Sequence, residues 1–264
     1  MAFRLLRPCN FLVLLSLLAA GSLAATGPGD IAVFWGRNKD EGTLREACDT
    51  GTYNTVIISF LTGFGAHGTY TLDLSGHPLA VLLSIGGPSS SSAANYSLPS
   101  PHSAADLADY LWNAFLTGGR AGVLRPFGDA QVNGVDFFID QGSDADHYDE
   151  HARRLYGYNK YYRGGGITLA ATVSCTYRPD NRLAAALATS LFGRIHVKMF
   201  GGDLRCDRVF VGVVASPEAD KDAYLFQKDL YYGILQFAEK LPNYGGLMIW
   251  DRYYDKKNHY ISSS

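Results

Sequence analysis

Residues 133–142 read NGVDFFIDQG, and the alternation within this stretch decides how the chain folds and what it does. Successive side chains of a strand point to opposite faces, so Val135, Phe137 and Ile139 share one face. Asp136, Phe138 and Asp140 share the other. A face with two carboxylates and a phenyl ring between them has the layout of an active-site strand with one part exchanged. The plain alternative is a buried strand whose acids sit at solvated ends, and these ten residues do not separate the two.

Seven further short β-branched or apolar runs accompany this one: Ile31–Trp35, Thr55–Leu61, Val81–Ile85, Thr168–Val173, Ile195–Phe200, Val209–Val214 and Gly245–Trp250. With Gly134–Asp140 they make eight. Helix-like segments lie between several of them, over Leu44–Cys48, Ala104–Leu116, His147–Tyr158, Leu183–Phe192 and Ala223–Lys240. Strands alternating with helices imply a parallel α/β sheet, and eight of them fit a closed (β/α)8 TIM barrel. Two connections are thin for that fold. Only GGDLRCDR separates Phe200 from Val209, whereas a parallel crossover takes a dozen residues or more. The segment between Leu61 and Val81 shows no helical period, so one or two outer helices are expected to be missing or shortened.

The first 25 residues carry Arg4 and Arg7, an apolar run from Phe11 to Ala20, and small residues up to Ala25. That is the layout of a secretory signal peptide, which leaves residues 26–264 as a single domain, expected to be secreted and extracellular. The 264 residues are 47% hydrophobic with a formal charge of −2, which offers no electrostatic case for nucleic acid or an anionic membrane. Past the signal three cysteines remain, Cys48, Cys175 and Cys206, an odd number whose pairing the spacing leaves open. Asn95-Tyr96-Ser97 is an N-glycosylation acceptor. Asp144, Asp146, Asp149 and Glu150 read as the solvated start of a helix. His147 and His151 stand i, i+4 on that segment without a third ligand, so no metal is expected. The glycines at 164–166 are not followed by the Lys-Ser/Thr of a phosphate loop.

The stretches VFWGRNKDEGTLREACD, SFLTGFGAHGTYTLDLSGH, LLSIGG, RPFGDA, GVDFFID and NYGGLMIWDRYYDKKNHY resemble plant class III chitinases of glycoside hydrolase family 18. They resemble still more the xylanase inhibitor proteins of cereals. The likeness covers nearly all of the chain after the signal and implies a (β/α)8 barrel. Active members carry D-x-x-D-x-D-x-E on the fourth strand. The Glu protonates the glycosidic oxygen, and the middle Asp orients the substrate's acetamido group, the substrate-assisted exception to the usual carboxylate pair.

This chain has Asn133, Asp136, Phe138 and Asp140 at those four places. Phe138 cannot hold an acetamido group. Asp140 is one methylene shorter than Glu, and a displacement of about 1 Å costs on the order of 100-fold in rate. On the sixth strand Phe200 stands where hydrolases have a supporting Tyr. The resemblance therefore implies a non-hydrolytic protein that binds microbial xylanases, without cofactor and as a monomer. Arg37 replaces the usual Gln, as it does among the inhibitors.

From the same resemblance, Arg163 in YYRGGG would enter the acidic cleft of a family 11 xylanase, and Lys228 would contact a family 10 xylanase. A neighbouring His of the relatives is Phe226 here. Trp35 and Trp250 would be the sugar-stacking residues, able to hold chitin oligosaccharides. Cys175 would pair with Cys206, and Cys48 would be left without its partner. A weakened chitinase and a chitin-binding, lectin-like protein are the alternative functions; an incompletely folded product is a further one.

Overall fold

The computed structural model describes residues 29–64, 81–88, 95–140, 146–162, 165–174, 182–198 and 208–262. Residues 1–28, which include the expected signal peptide, lie outside the described residues, as do Arg163, Cys175, Phe200, Cys206 and the side chain of Asn95. Eight parallel strands close into a barrel in sequential order, each paired with its chain neighbours and the last with the first. They are β1 (Asp30–Trp35), β2 (Thr55–Leu61), β3 (Val81–Gly87), β4 (Gly134–Ile139), β5 (Thr168–Ser174), β6 (Arg194–Lys198), β7 (Val209–Val214) and β8 (Tyr244–Trp250). All eight coincide with the β-branched runs of the sequence. A short parallel pair, Gly63–Phe64 with Asn95–Tyr96, was not foreseen.

Period-2 alternation sorts the side chains into two cores. The barrel interior holds Ala32, Phe34, Ile57, Leu82, Phe138, Ala170, Phe210 and Met248. Val135, Phe137 and Ile139 point outward, with Leu107, Leu111 and Leu155 among the buried residues of the same outer layer. The two faces read from NGVDFFIDQG are therefore the two faces of a barrel wall.

Helices α1 (Leu44–Asp49), α2 (Pro101–Ala114), α3 (Tyr148–Gly157) and α4 (Ala184–Leu187) match expected segments. Local chemistry starts the first two. Thr43 and Glu46 form a capping box ahead of α1, and Ser100 with Ser103 does the same for α2, with Pro101 in its first turn. Helix α4 is a single turn where a longer helix, Leu183–Phe192, was read; the two thin connections, before Val81 and before Val209, lie largely outside the described residues. Helix α5 runs through Gln227–Asp229, a π-helical stretch Leu230–Leu235 and Gln236–Ala238. It begins later than its apolar pattern because Asp220 first accepts hydrogen bonds from the amides of Asp222 and Ala223, closing a turn.

One helix was missed altogether: α6, Arg252–Asn258, capped by Asp251 and basic in its last turn. It carries a buried anchor. Asp255 is fully buried, accepting hydrogen bonds from the Tyr53 hydroxyl and from the amides of Ile261 and Ser262. Arg252 reaches the same Tyr53 hydroxyl at 3.3 Å. The chain's last described residues are thereby tied to the segment leading into β2.

The solvated-acid reading of the α3 start needs correction. Asp146 is buried, because its carboxylate accepts hydrogen bonds from the Ser97 hydroxyl (2.9 Å) and the Leu98 amide (2.8 Å). His151 is buried too, its Nδ1 on the Ala104 carbonyl, and burial pulls its pKa down to about 4. It joins α3 to α2. Cys48 is the one cysteine among the described residues and has no disulfide partner there. Asp255→Ala strands several donors in a dry site and is expected to cost about 3 kcal/mol, read as a lowered midpoint in urea unfolding with an unchanged slope.

Candidate functional site

The mouth of a parallel barrel lies at the C-terminal ends of its strands, where the face of β4 carrying Asp136, Phe138 and Asp140 leads. Asp136 is deepest and fully buried. Its carboxylate accepts hydrogen bonds from Ser84 Oγ on β3 at 2.7 Å and Thr172 Oγ1 on β5 at 3.0 Å. His196 on β6 places Nδ1 3.2 Å from Asp136 Oδ1, which requires the Nδ1-protonated tautomer if it donates there. A buried carboxylate is tolerable only when answered in this way. Asp136 is a structural tie between four adjacent strands.

One step outward, Phe138 is buried in the barrel's aromatic plug. Its ring makes edge contacts with Phe34, Phe60 and Trp250, at centroid distances of 5.9, 5.3 and 5.9 Å. Gly86, paired with Phe138 across the β3–β4 ladder, has a positive φ of 92° and no room for a side chain; a Cβ there would run into the Phe138 carbonyl oxygen. The phenyl ring presents no acceptor to a substrate.

Asp140 ends the strand and is not free. Lys198, from the end of β6, donates to both of its carboxylate oxygens at 2.9 Å. The same ammonium lies 4.1 Å from the Phe138 ring centroid, a cation–π contact. Arg182 donates to the Asp140 backbone carbonyl at 2.7 Å. The Asp140 carboxylate is thus held at the rim by an ion pair through both of its oxygens.

Lys198 was not anticipated, because the reading of the sixth strand settled on Phe200. A signal was present: Arg194, His196 and Lys198 alternate on one face of a barrel strand, where charge is unexpected unless it has a partner.

Opposite these groups stands Arg37, after β1. Its guanidinium lies 5.0 Å from the Trp250 ring centroid and 5.9 Å from that of Phe60. Trp250 thus lies in the mouth with a face of its indole covered. Trp35 does not lie there. It is buried in the outer layer, and its indole N–H donates to the Gly42 carbonyl at 3.0 Å. The expectation that Trp35 stacks on sugar is corrected: as the odd residue of the alternation it faces away from the barrel axis. Asn133 holds the start of the strand ladder, accepting a hydrogen bond from the Val81 amide at 2.8 Å.

The Arg37 loop is held from behind by Glu41. This buried carboxylate accepts from the amides of Gly36 (3.0 Å) and Asn38 (2.8 Å). Burial raises its pKa to about 7, with the Asp251 charge adding to the effect.

Lys228 is exposed on α5. Among the described residues next to Arg163, Tyr161 is 61% exposed, with Lys160 over its ring at 4.8 Å.

Fold and mouth together define a (β/α)8 barrel of the glycoside-hydrolase kind. The family model described as Glycosyl hydrolases family 18 matches residues 30–200. The chain is 57% identical over 270 positions to xylanase inhibitor protein 2 of Oryza sativa subsp. japonica, covering 89% of this chain and 90% of that protein. It is 35% identical over 295 positions to an acidic endochitinase of Cicer arietinum, covering 96% and 95%. Among solved structures, the xylanase and α-amylase inhibitor protein XAIP-II of Scadoxus multiflorus superposes with a TM-score of 0.79 at 33% identity, covering 89% of this chain and 97% of that one. The chain belongs to glycosyl hydrolase family 18. The rice match spans more positions than this chain has residues to fill, so that relative contains stretches this chain lacks.

Two outcomes follow from this geometry. Restoring the family acids in a Phe138→Asp, Asp140→Glu variant is expected to leave turnover of chito-oligosaccharides undetected, because Lys198 and Arg37 still occupy the mouth; product formation by chromatography checks it. For Glu41 the folded pKa of about 7 lies above the ordinary 4.5, so its contribution is fully present below pH 4.5 and lost as pH rises through 7. Relative to wild type, Glu41→Gln, which keeps the acceptor, is expected to gain about 3 kcal/mol between pH 4.5 and pH 8, measured by urea unfolding at each pH.

Proposed function

We propose that this protein is a secreted, monomeric, non-hydrolytic member of family 18 that inhibits microbial xylanases by protein–protein contact, in plant defence. The observation that carries the reading is the state of the acid strand. Phe138 fills the seat of the substrate-orienting acid, and both oxygens of Asp140 are taken by Lys198. A barrel in this condition has lost the proton donor and the acetamido seat, so function through the outer surface is favoured over hydrolysis. Relatives at 57% and 43% identity bear the name xylanase inhibitor protein, which supplies the target class.

Two surfaces would make the contacts. Arg163 would enter the acidic cleft of a family 11 enzyme, since a guanidinium can grip a carboxylate with two parallel hydrogen bonds. The adjoining exposed Tyr161 and Lys160 support that surface, as aromatic and cationic anchors are frequent at interface hot spots. Lys228 would contact a family 10 enzyme from the exposed side of α5, where Tyr231, Tyr232 and Phe237 are also open to solvent.

Inhibition constants against one xylanase of each family, for wild type, Arg163→Ala and Lys228→Ala, test the reading. Arg163→Ala is expected to weaken inhibition of the family 11 enzyme by about 30-fold or more and to leave the family 10 enzyme inhibited. Lys228→Ala is expected to do the reverse. A family 11 inhibition constant unmoved by Arg163→Ala removes the proposed mechanism, and no inhibition of either enzyme removes the function.

A further inference from the structure

The barrel mouth still contains a cavity of about 460 Å³. That is within the range of small-molecule sites and large enough for one ring with a short side chain. Its lining differs from that of a chitin subsite in two respects. The first is a pair of cations with donors to spare, Arg37 and Lys198, beside one lining carboxylate, Asp220. The Arg37 guanidinium forms no hydrogen bond or contact ion pair among the described residues; it rests on the rings of Trp250 and Phe60, with Asp251 near enough to feel its charge. Lys198 spends two of its three N–H donors on Asp140.

The nearby carboxylates are already answered. Asp140 has Lys198, Asp220 accepts from its own turn, and Asp251 accepts the Tyr254 amide. The second respect is the wall. Beside the cations the cavity lining includes Val214, Ala219, Ala223 and Met248, none of which carries a polar side chain.

A pocket with unspent cationic donors beside an apolar wall selects an amphipathic anion rather than a neutral sugar. A sugar ring would set its hydroxyls against that apolar wall. It would also find a face of Trp250 covered by the guanidinium. The geometry points to a binding site for a small aromatic carboxylate, whose carboxylate is held by Arg37 and Lys198 and whose ring packs on Val214, Ala219, Ala223 and Met248. Arg37 offers the planar fork that takes a carboxylate through two parallel hydrogen bonds. The site as drawn uses neither Arg163 nor Lys228, so it stands whether or not the protein inhibits a xylanase.

Calorimetric titration of the full chain with trans-cinnamate tests the site, using methyl cinnamate, glucuronate and chitobiose as comparisons and no xylanase present. Cinnamate is expected to bind saturably and to weaken as salt rises. The uncharged ester and the hydrophilic glucuronate should each bind at least about tenfold more weakly, through loss of one ion pair or of the apolar contact. Arg37→Gln should weaken cinnamate by about tenfold or more, Arg37→Lys by less, and Arg163→Ala not at all, each with a wild-type circular dichroism spectrum. Equal binding of acid and ester, wild-type affinity in Arg37→Gln, tighter binding of chitobiose than of cinnamate, or no saturable binding of cinnamate would each overturn the site.

Discussion

The carboxylate of Asp136 sits in the dry interior of the barrel, within hydrogen-bonding distance of Ser84, Thr172 and His196, side chains of three neighbouring strands. Desolvating such a charge costs several kcal/mol, which its partners must offset together. This dependence fixes the register of β3 to β6. A one-residue slip of β4 would put Phe137 in the polar pocket and send Asp136 into the outer apolar layer. Once that register holds, Phe138 necessarily enters the plug beside Phe34 and Trp250, and Asp140 arrives at the rim within reach of Lys198. The state of the mouth is thus a consequence of one buried anion two residues below it.

How much of this could be read from the sequence depended on how local its cause was. The eight strands were legible because each is a short β-branched or apolar run, and a barrel wall must be apolar outward over most of its length. The two faces of NGVDFFIDQG were legible because alternation is a property of the strand alone. Lys198 was not, since its meaning comes from a partner 58 residues away. Asp146 was misplaced for the same reason: its ligands Ser97 and Leu98 lie almost fifty residues earlier and are brought to it by the fold. Trp35 was assigned to the mouth although period 2 from Ala32 and Phe34, both inward, sets it outward. There the sequence contained the answer, and the resemblance to sugar-binding relatives overrode it. Helix α6 shows the limit from the other direction, because its Asp251 cap and basic last turn are local signals that went unread.

A catalytic strand of this family sets carboxylates on one face, close enough to repel one another, and such a face is maintained at a cost to stability. Here Phe138 stands between Asp136 and Asp140, and Asp140 is bound to an ammonium. The barrel has an aromatic plug in which Phe34, Phe60, Phe138 and Trp250 meet with edge and tilted geometries. Edge-to-face contacts of this kind contribute about 0.5–1.5 kcal/mol each beyond the area they bury. At the rim Arg37 and the Lys198–Asp140 pair stand beside an apolar wall, and the proposed recognition of a charged, ring-shaped molecule rests on that combination.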